Sequence, residues 1–384
     1  MKVLFVVMLV FSLSVFAGLN WYLFIRGRQA LEILERRFRI LYAIVFWTMP
    51  ALFFGSMMLE TAAGSGALTD TVFLIGSFWV AVMLYGFLFV VIVDIVRLIG
   101  KLFKIKPKIV FQNYVATKAI VLVAFLALLS VIFVVGYKNA TRPQATHLTI
   151  ELNKQGGNLS QLRVAMVSDI HLGYIYRQRE LARIVDVINE QQPDIVMLVG
   201  DIFEGPPEPV IKNDMGVEFA RLQTKYGVYF ATGNHEYMGA NNSPDAALNY
   251  LATHGVKPLV DAVALIDSAF YVVGRKDPSG GARKDLTELL HDIDRNLPII
   301  LLDHQPFNLD EAVDAKIDLQ LSGHTHNGQM YPLNYIVNLI FEKSWGFLKK
   351  GDTNFYVSCG AGTWGPPIRI GSYAEVVMID LKFR

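Results

Sequence analysis

Leu162-Arg163-Val164-Ala165-Met166-Val167-Ser168-Asp169-Ile170-His171 is the stretch on which the reading of this 384-residue chain turns. Its short apolar run predicts a buried strand, Leu162–Ser168, and that strand runs straight into an acid and an imidazole two residues apart. The arrangement recurs downstream. Ile195–Val199 leads into Gly200-Asp201, Val228–Ala231 into Gly233-Asn234-His235-Glu236, Ile299–Leu302 into Asp303-His304, and Asp318–Ser322 into Gly323-His324-Thr325-His326. Five strands thus deliver Asp, Asn or His at or just past their last residue. In open α/β sheets that edge is where ligands bind.

Asp offers hard anionic oxygen, His a borderline nitrogen and Asn a neutral amide oxygen. Such a mixed set suits Mn²⁺, Fe, Zn²⁺ or Mg²⁺. The single cysteine, Cys359, argues against a soft thiolate site and excludes an internal disulfide framework. D-x-H and H-x-H spacings put two donors on one side of an extended segment, as a period of two requires. Glycines 200, 233 and 323 fit sharp turns where backbone passes close to a metal or phosphate. Of the eight histidines, five lie in these segments, so they are read together as a site rather than as isolated surface or core residues.

Outward from these motifs, further strands are expected at Tyr271–Gly274, Phe355–Ser358 and Glu375–Leu381. Leu181, Ile184, Val185 and Ile188 recur at i, i+3, i+4 and i+7, which predicts a helix with one buried face. Other helices are expected from Ser243 to near Gly255 and after Asp285. The pattern is an α/β domain with mixed sheets over residues 147–384. The stretch Tyr335–Lys350, rich in Ile, Leu, Phe and Trp and flanked by lysines, is read as a core or lid segment packed on the sheets, in preference to an interfacial lip.

Residues 1–137 have another texture. Four apolar runs, Val3–Phe24, Ile40–Leu59, Val72–Val93 and Ala119–Tyr137, each match the ~20 residues a helix needs to cross the bilayer core. They account for a chain that is 53% hydrophobic and only 18% charged. The loops after the first and third runs carry Arg26, Arg28, Arg36, Arg37 and Arg39, and Arg97, Lys101, Lys104, Lys106 and Lys108. The loop Thr61–Thr71 carries no Lys or Arg. The positive-inside rule makes the basic loops cytoplasmic, so the C-terminal domain is expected on the extracytoplasmic face of a cell (inner) membrane. Asp94 is read as a helix partner of Arg97. Residues 138–146 are expected to be a linker. A net charge of +1 gives no overall field pointing to nucleic acid, which is not expected as a partner.

The motifs Asp169-Ile170-His171, Gly200-Asp201, Gly233-Asn234-His235-Glu236, His304 and Gly323-His324-Thr325-His326 resemble those of the calcineurin-like metallophosphoesterases, in family order. The strings LLDHQP, GHTHNGQ and GTWGPP look like the membrane-attached bacterial branch. The resemblance covers residues 147–384 and implies a four-layer α-β-β-α sandwich with two divalent metal ions (Mn, Zn, Fe or Mg) between the sheets. It gives one metal Asp169, His171, Asp201 and His326, and the other Asp201, Asn234, His304 and His324, with Asp201 bridging. His235 would act as general acid beside the pair, oriented by Asp201 or another nearby carboxylate. Glu236 would hydrogen-bond a ligand imidazole. Glu204 departs from the family's usual Asp three residues after the bridging carboxylate.

The expected function is a membrane-bound phosphoesterase that hydrolyses a monoester or diester by a metal-bridging hydroxide. Membrane attachment makes a lipid or envelope phosphoester the favoured substrate. Two alternatives stand beside it: a pyrophosphate hydrolase of the kind that acts on UDP-diacylglucosamine, and a non-enzymatic membrane-anchored scaffold or sensor built on the same fold.

Overall fold

The computed structural model describes residues 2–63, 66–104, 114–238 and 243–384. They divide into two units, Met1–Val134 and Val135–Arg384.

The first unit holds α1 (Lys2–Ala30), α2 (Arg36–Ala63), α3 (Ala67–Leu102) and most of α4 (Tyr114–Thr141). All four are long and apolar enough to cross a membrane. Each extends past the apolar run that predicted it, so Arg26, Arg28, Arg36, Arg37, Arg39, Arg97 and Lys101 lie within helices. Lys104 follows α3, while Lys106 and Lys108 fall outside the described residues. The helices pack through a small aromatic cluster around Phe24, Phe46 and Trp79, and Trp79 donates to Asn20 across 2.8 Å. Many other apolar side chains point outward, as lipid-facing residues do: Phe11, Trp21, Ile44, Val96 and Val134 are all exposed. Asp94 has its expected partner and a closer one. Arg97 stands 3.8 Å away, but Arg26 makes the closer ion pair and the Tyr22 hydroxyl donates to Asp94 at 2.5 Å. A carboxylate this deep in an apolar helix needs a cation and a donor from a neighbouring helix, and α1 supplies both.

The second unit is built on two six-stranded sheets. One runs in the order β1 (Gln144–Leu152), β12 (Glu375–Phe383), β2 (Gln161–Val167), β3 (Ile195–Val199), β4 (Val228–Ala231), β5 (Val256–Pro258). The other runs β10 (Gly346–Lys350), β11 (Thr353–Val357), β9 (Leu319–Ser322), β8 (Ile299–Leu302), β7 (Phe270–Gly274), β6 (Ala262–Ile266). Both are mixed: β2, β3, β4 and β5 run parallel, as do β7, β8, β9 and β11, while β12 is antiparallel to β2 and β10 to β11. Between the sheets lies a core of fully buried side chains including Met166, Met197, Phe270, Val272 and Ile300. Outside the first sheet, α5 (Gln178–Glu190) and α7 (Asp245–Thr253) bury Leu181, Ile184, Val185, Ile188 and Leu251. Outside the second, α8 (Leu286–Leu289) and α9 (Asp310–Asp314) cover Val273 and Leu301. Here α6 is the short helix Glu208–Lys212. The order is α-β-β-α, four layers around an inter-sheet core, as expected.

Two expectations fail here. The stretch 138–146 is not a linker: α4 runs to Thr141 and β1 begins at Gln144, leaving Arg142-Pro143 between them. The junction is held within this unit, where Arg369 donates its backbone N–H to the Gly136 carbonyl and Ala374 donates to that of Asn139. Nor is Tyr335–Lys350 packed on the sheets throughout: Gly346–Lys350 is β10, paired with β11, but the first half is not. Its helix α10 (Leu333–Ile340) has no buried residue. Apolar periodicity alone does not say which solvent an apolar face meets.

The inter-sheet core predicts a sharp contrast. Phe270→Ala removes a ring buried between both sheets and should destabilise the second unit by about 3–5 kcal/mol. Leu265→Ala, on the half-exposed face of β6, should stay within about 0.5 kcal/mol. Thermal unfolding of the two detergent-solubilised variants, followed by near-UV circular dichroism, measures the difference.

Candidate metal centre

Strands β2, β3, β4, β8 and β9 end side by side, and their following residues converge at the edges of the two sheets. Asp169, His171 and His326 form one group of potential ligands, and Asp201, His304 and His324 a second. Their spacing is close. His326 Nε2 lies 3.3 Å from Asp169 Oδ1 and 3.0 Å from His171 Nε2. His304 Nε2 lies 3.1 Å from Asp201 Oδ2 and 3.9 Å from Asp169 Oδ1. The two groups are therefore parts of one cluster.

The local backbone explains how donors two residues apart come to face the same space. The D-x-H and H-x-H segments are not extended, as their spacing suggested. Asp169, His171, Asp201, His324 and His326 all have positive φ, between 47° and 69°. Left-handed backbone at non-glycine residues costs on the order of 1–2 kcal/mol each, and its concentration here marks a segment held by its surroundings. Part of the hold is direct: His171 donates its N–H to the Asp201 carbonyl at 3.1 Å, and the His324 N–H reaches both Asp169 carboxylate oxygens at 3.0 Å. Two glycines are required by proximity. A Cβ on Gly233 would lie 2.2 Å from Asp201 Oδ1, and one on Gly323 2.3 Å from Asp169 Oδ2.

Charge and burial fit a cation. Burial alone would raise the carboxyls, yet for Asp169 the rings of His326, His304 and His171 hold it well below the usual range. For Asp201 the rings of His304, His235 and His171 do the same. Burial pushes His326 down, to about 4, with Arg369 and His171 acting in the same direction against Asp169. His171 goes the other way: burial lowers it, but Glu204, Asp201 and Asp169 together raise it to about 9. Glu204 Oε2 is 2.7 Å from His171 Nδ1. His304 Nδ1 donates to the Val199 carbonyl at 2.8 Å, which fixes its tautomer and leaves Nε2 for the centre. That Nε2 is buried facing Asp201 Oδ2, and Asn234 Oδ1 is buried with no hydrogen-bond partner among the described residues. An orphaned buried acceptor is costly, and a divalent ion held by oxygen and nitrogen would satisfy it. The donor set fits the metals that its chemistry predicted.

His235 stands at the rim of this cluster. Its Nε2 is 4.0 Å from Asp201 Oδ2, and its ring meets that of His171 edge-on at 4.7 Å. Its Nδ1 contacts the backbone carbonyl of Glu204 at 2.5 Å, not a carboxylate. That carbonyl orients the ring and leaves Nε2 facing the centre. Glu236 does not touch a ligand imidazole. Its buried carboxylate accepts from the backbone N–H groups of Asp201 (3.0 Å), Ile202 (2.8 Å), Phe203 (3.3 Å) and Gly233 (2.6 Å). Burial and the neighbouring Asp201 push it up to about 7. Glu236 thus shapes the loop that presents Asp201. Asp303 is turned away too, 3.3 Å from Arg275 and 3.0 Å from Arg283.

Arg369 is a residue the motifs did not reveal. It is fully buried, with Nη2 at 3.2 Å from His326 Nδ1 and 3.1 Å from the Gly360 carbonyl. The only hint in the sequence is a lone cation between two isoleucines, Ile368-Arg369-Ile370.

The role of Glu236 yields a test. In Glu236→Gln an amide NH₂ replaces one acceptor facing those N–H donors, so the variant should lose about 1–3 kcal/mol of stability. It should also bind metal more weakly. Thermal melting with and without added Mn²⁺ reads both effects, and a melt identical to wild type contradicts the role.

Residues 162–328 match the family model described as calcineurin-like phosphoesterase. A relative from Campylobacter jejuni, named as an uncharacterized metallophosphoesterase, is 30% identical across 98% of this chain and 97% of its own length. The Bos taurus "Transmembrane protein with metallophosphoesterase domain" is 32% identical over 66% of this chain, which spans 60% of that relative's length. A third, from Aquifex aeolicus, also an uncharacterized metallophosphoesterase, is 32% identical over 58% of this chain and 86% of its own length. With the four long apolar helices, these matches make the chain a membrane protein of the calcineurin-like metallophosphoesterase family, whose members are phosphoester hydrolases dependent on divalent metal ions.

Proposed function

We propose that this chain hydrolyses a phosphate ester at a two-metal centre facing the extracytoplasmic side of the membrane, and that the ester belongs to a lipid or another envelope component. The observation that carries the catalytic part is the convergence of the two ligand groups on one buried space, where Asn234 Oδ1 has no hydrogen-bond partner among the described residues and His304 Nε2 faces Asp201 Oδ2 at 3.1 Å. Asp169, His171 and His326 would hold one ion, and Asn234, His304 and His324 the other, with Asp201 shared. Bound there, the two ions supply Lewis-acid charge for the phosphoryl oxygens and lower the pKa of water near neutral pH.

The residues of the chain do the rest. Asp169 and Asp201 bring negative charge into a buried space that neutral imidazoles alone could not compensate with two cations. Val199, through its carbonyl, keeps His304 in the tautomer that presents Nε2. The Glu204 carbonyl does the same for His235, so Nε2 of His235 is the atom that gives a proton to the departing oxygen. The lipid or envelope substrate is supported by the anchoring of the domain to four apolar helices. The side of the membrane is supported by Arg36, Arg37 and Arg39 at the start of α2 and Arg97 and Lys101 near the end of α3, against no Lys or Arg in residues 61–71.

Three experiments test this reading. The detergent-purified protein stripped of metal should lose turnover of a p-nitrophenyl phosphodiester and regain it with Mn²⁺, while Asp201→Asn stays inactive after metal is restored. His235→Gln should slow esters with poor leaving groups by roughly 10²–10⁴-fold, and p-nitrophenyl esters, which need little proton help, much less. Uniform slowing of both ester types contradicts the proton-donor role. For topology, alkaline phosphatase fused after Arg384 should be active and a cytoplasm-dependent fluorescent reporter dark; the reverse pattern refutes the extracytoplasmic placement.

A further inference from the structure

Helix α10 is amphipathic in an unusual sense, because its apolar face is largely exposed among the described residues. Tyr335, Ile336, Leu339 and Ile340 recur on one side, and they are 59%, 56%, 88% and 59% exposed. Four large apolar side chains together on two helical turns form a patch, not scattered exposure. Trp364, 45% exposed, extends it, since its backbone is hydrogen-bonded to the Gln329 side chain just ahead of the helix.

Two further observations say what covers this face. The first is continuity with the membrane-spanning part of the chain. The last turns of α4 belong to the same compact unit as α10. There, Gly136 accepts from the backbone of Arg369 at 3.0 Å, and Asn139 donates to the Arg369 carbonyl at 3.2 Å. The next residue, Ile370, accepts from the Tyr331 N–H at 2.8 Å. The place where the chain leaves hydrocarbon and the start of α10 are therefore fastened to adjacent residues of one strip. The second observation is charge. Lys343 stands three residues past the helix and Lys349 lies in β10, and basic residues are common where an apolar face meets anionic headgroups.

The same segment reaches the metal centre. Leu333–Ile340 follows the loop carrying His324 and His326, and at its end the Phe341 ring lies 6.0 Å from that of His324. Thr325, between the two histidines, donates its hydroxyl to the Ser344 carbonyl at 2.5 Å.

We propose that α10 inserts its apolar face into the lipid interface and seats the metal centre at headgroup level, where it meets phosphoesters carried by lipids. The insertion stands independently of catalysis, whereas the substrate consequence rests on the phosphoesterase reading above.

The test uses the full chain in nanodiscs containing phosphatidylethanolamine and phosphatidylglycerol. Cys359, the sole cysteine, is buried and is replaced by Ala, and an environment-sensitive fluorophore is attached at Leu339→Cys. An exposed position, Asp292→Cys, serves as the control. Nitroxide-bearing lipids should quench the probe at 339 at least threefold more than that at 292, and aqueous iodide should do the reverse. Equal quenching at both sites overturns the proposal. So does shielding of position 339 that occurs only when two copies share a disc, which would make a second copy the occupant. Leu339→Asp should reduce turnover of phospholipid in vesicles at least tenfold and leave a soluble p-nitrophenyl ester within twofold; equal loss on both overturns the substrate consequence. A wild-type protein inert towards both esters would defeat the phosphoesterase reading instead, and the quenching would still decide the insertion.

Discussion

Two carboxylates, Asp169 and Asp201, are buried almost completely at the meeting edge of two sheets, and the rest of the second unit is arranged to make that tolerable. An isolated buried carboxylate is among the most expensive things a fold can contain. Here the compensation is local and layered. Backbone N–H groups from His324 and His235 reach Asp169 and Asp201, imidazoles surround them, and Glu236 gathers the N–H groups of the loop behind Asp201. The left-handed turns and the two close glycines follow from the same demand, because only such a backbone lets five strand ends point their donors at one volume. Even so, the buried Asn234 Oδ1 remains unpartnered among the described residues, and a cation would satisfy it.

Much of this was legible in the sequence, for a definite reason. Buried parallel strands are short apolar runs, and the polar residues that cluster in the fold follow them immediately, so β2, β3, β4, β8 and β9 and the Asp, Asn and His at their ends could be read off one after another. What escaped has physical causes too. The first three residues of β1, Gln144–Thr146, read as part of a connection, yet they pair in parallel with Glu375–Val377 of β12. β5, β6 and β10 are short or lie at the edges of their sheets, where side chains carry little pattern. The work of Glu236 is done with main-chain partners, which no motif encodes. The Glu204 carbonyl that orients His235 is a main-chain atom as well. Arg369 acts from a loop far along the chain and has no spacing relation to the histidine it touches.

The apolar segments show the limit of periodicity more plainly. The four spans were recognisable because length and the absence of central charge have one common solution in lipid. Leu333–Ile340 has the same apolar character in two turns, and nothing in its order distinguishes a core helix from one that meets a bilayer. Exposure in the folded unit excludes the core helix. Asp94 teaches a related lesson: spacing pointed to Arg97 within its own helix, whereas Arg26 on another helix is the closer partner.

The central claim is that donors from distant parts of the chain form one bimetallic centre of oxygen and nitrogen ligands. X-ray absorption at the K-edge of the Mn²⁺- or Zn²⁺-loaded protein examines it most directly. The account predicts a first shell of N and O scatterers at about 2.0–2.2 Å for zinc, no sulfur, and a metal–metal vector near ~3.5–4 Å that disappears in Asp201→Ala. A sulfur ligand, or a spectrum with no second metal in the wild-type protein, would contradict it.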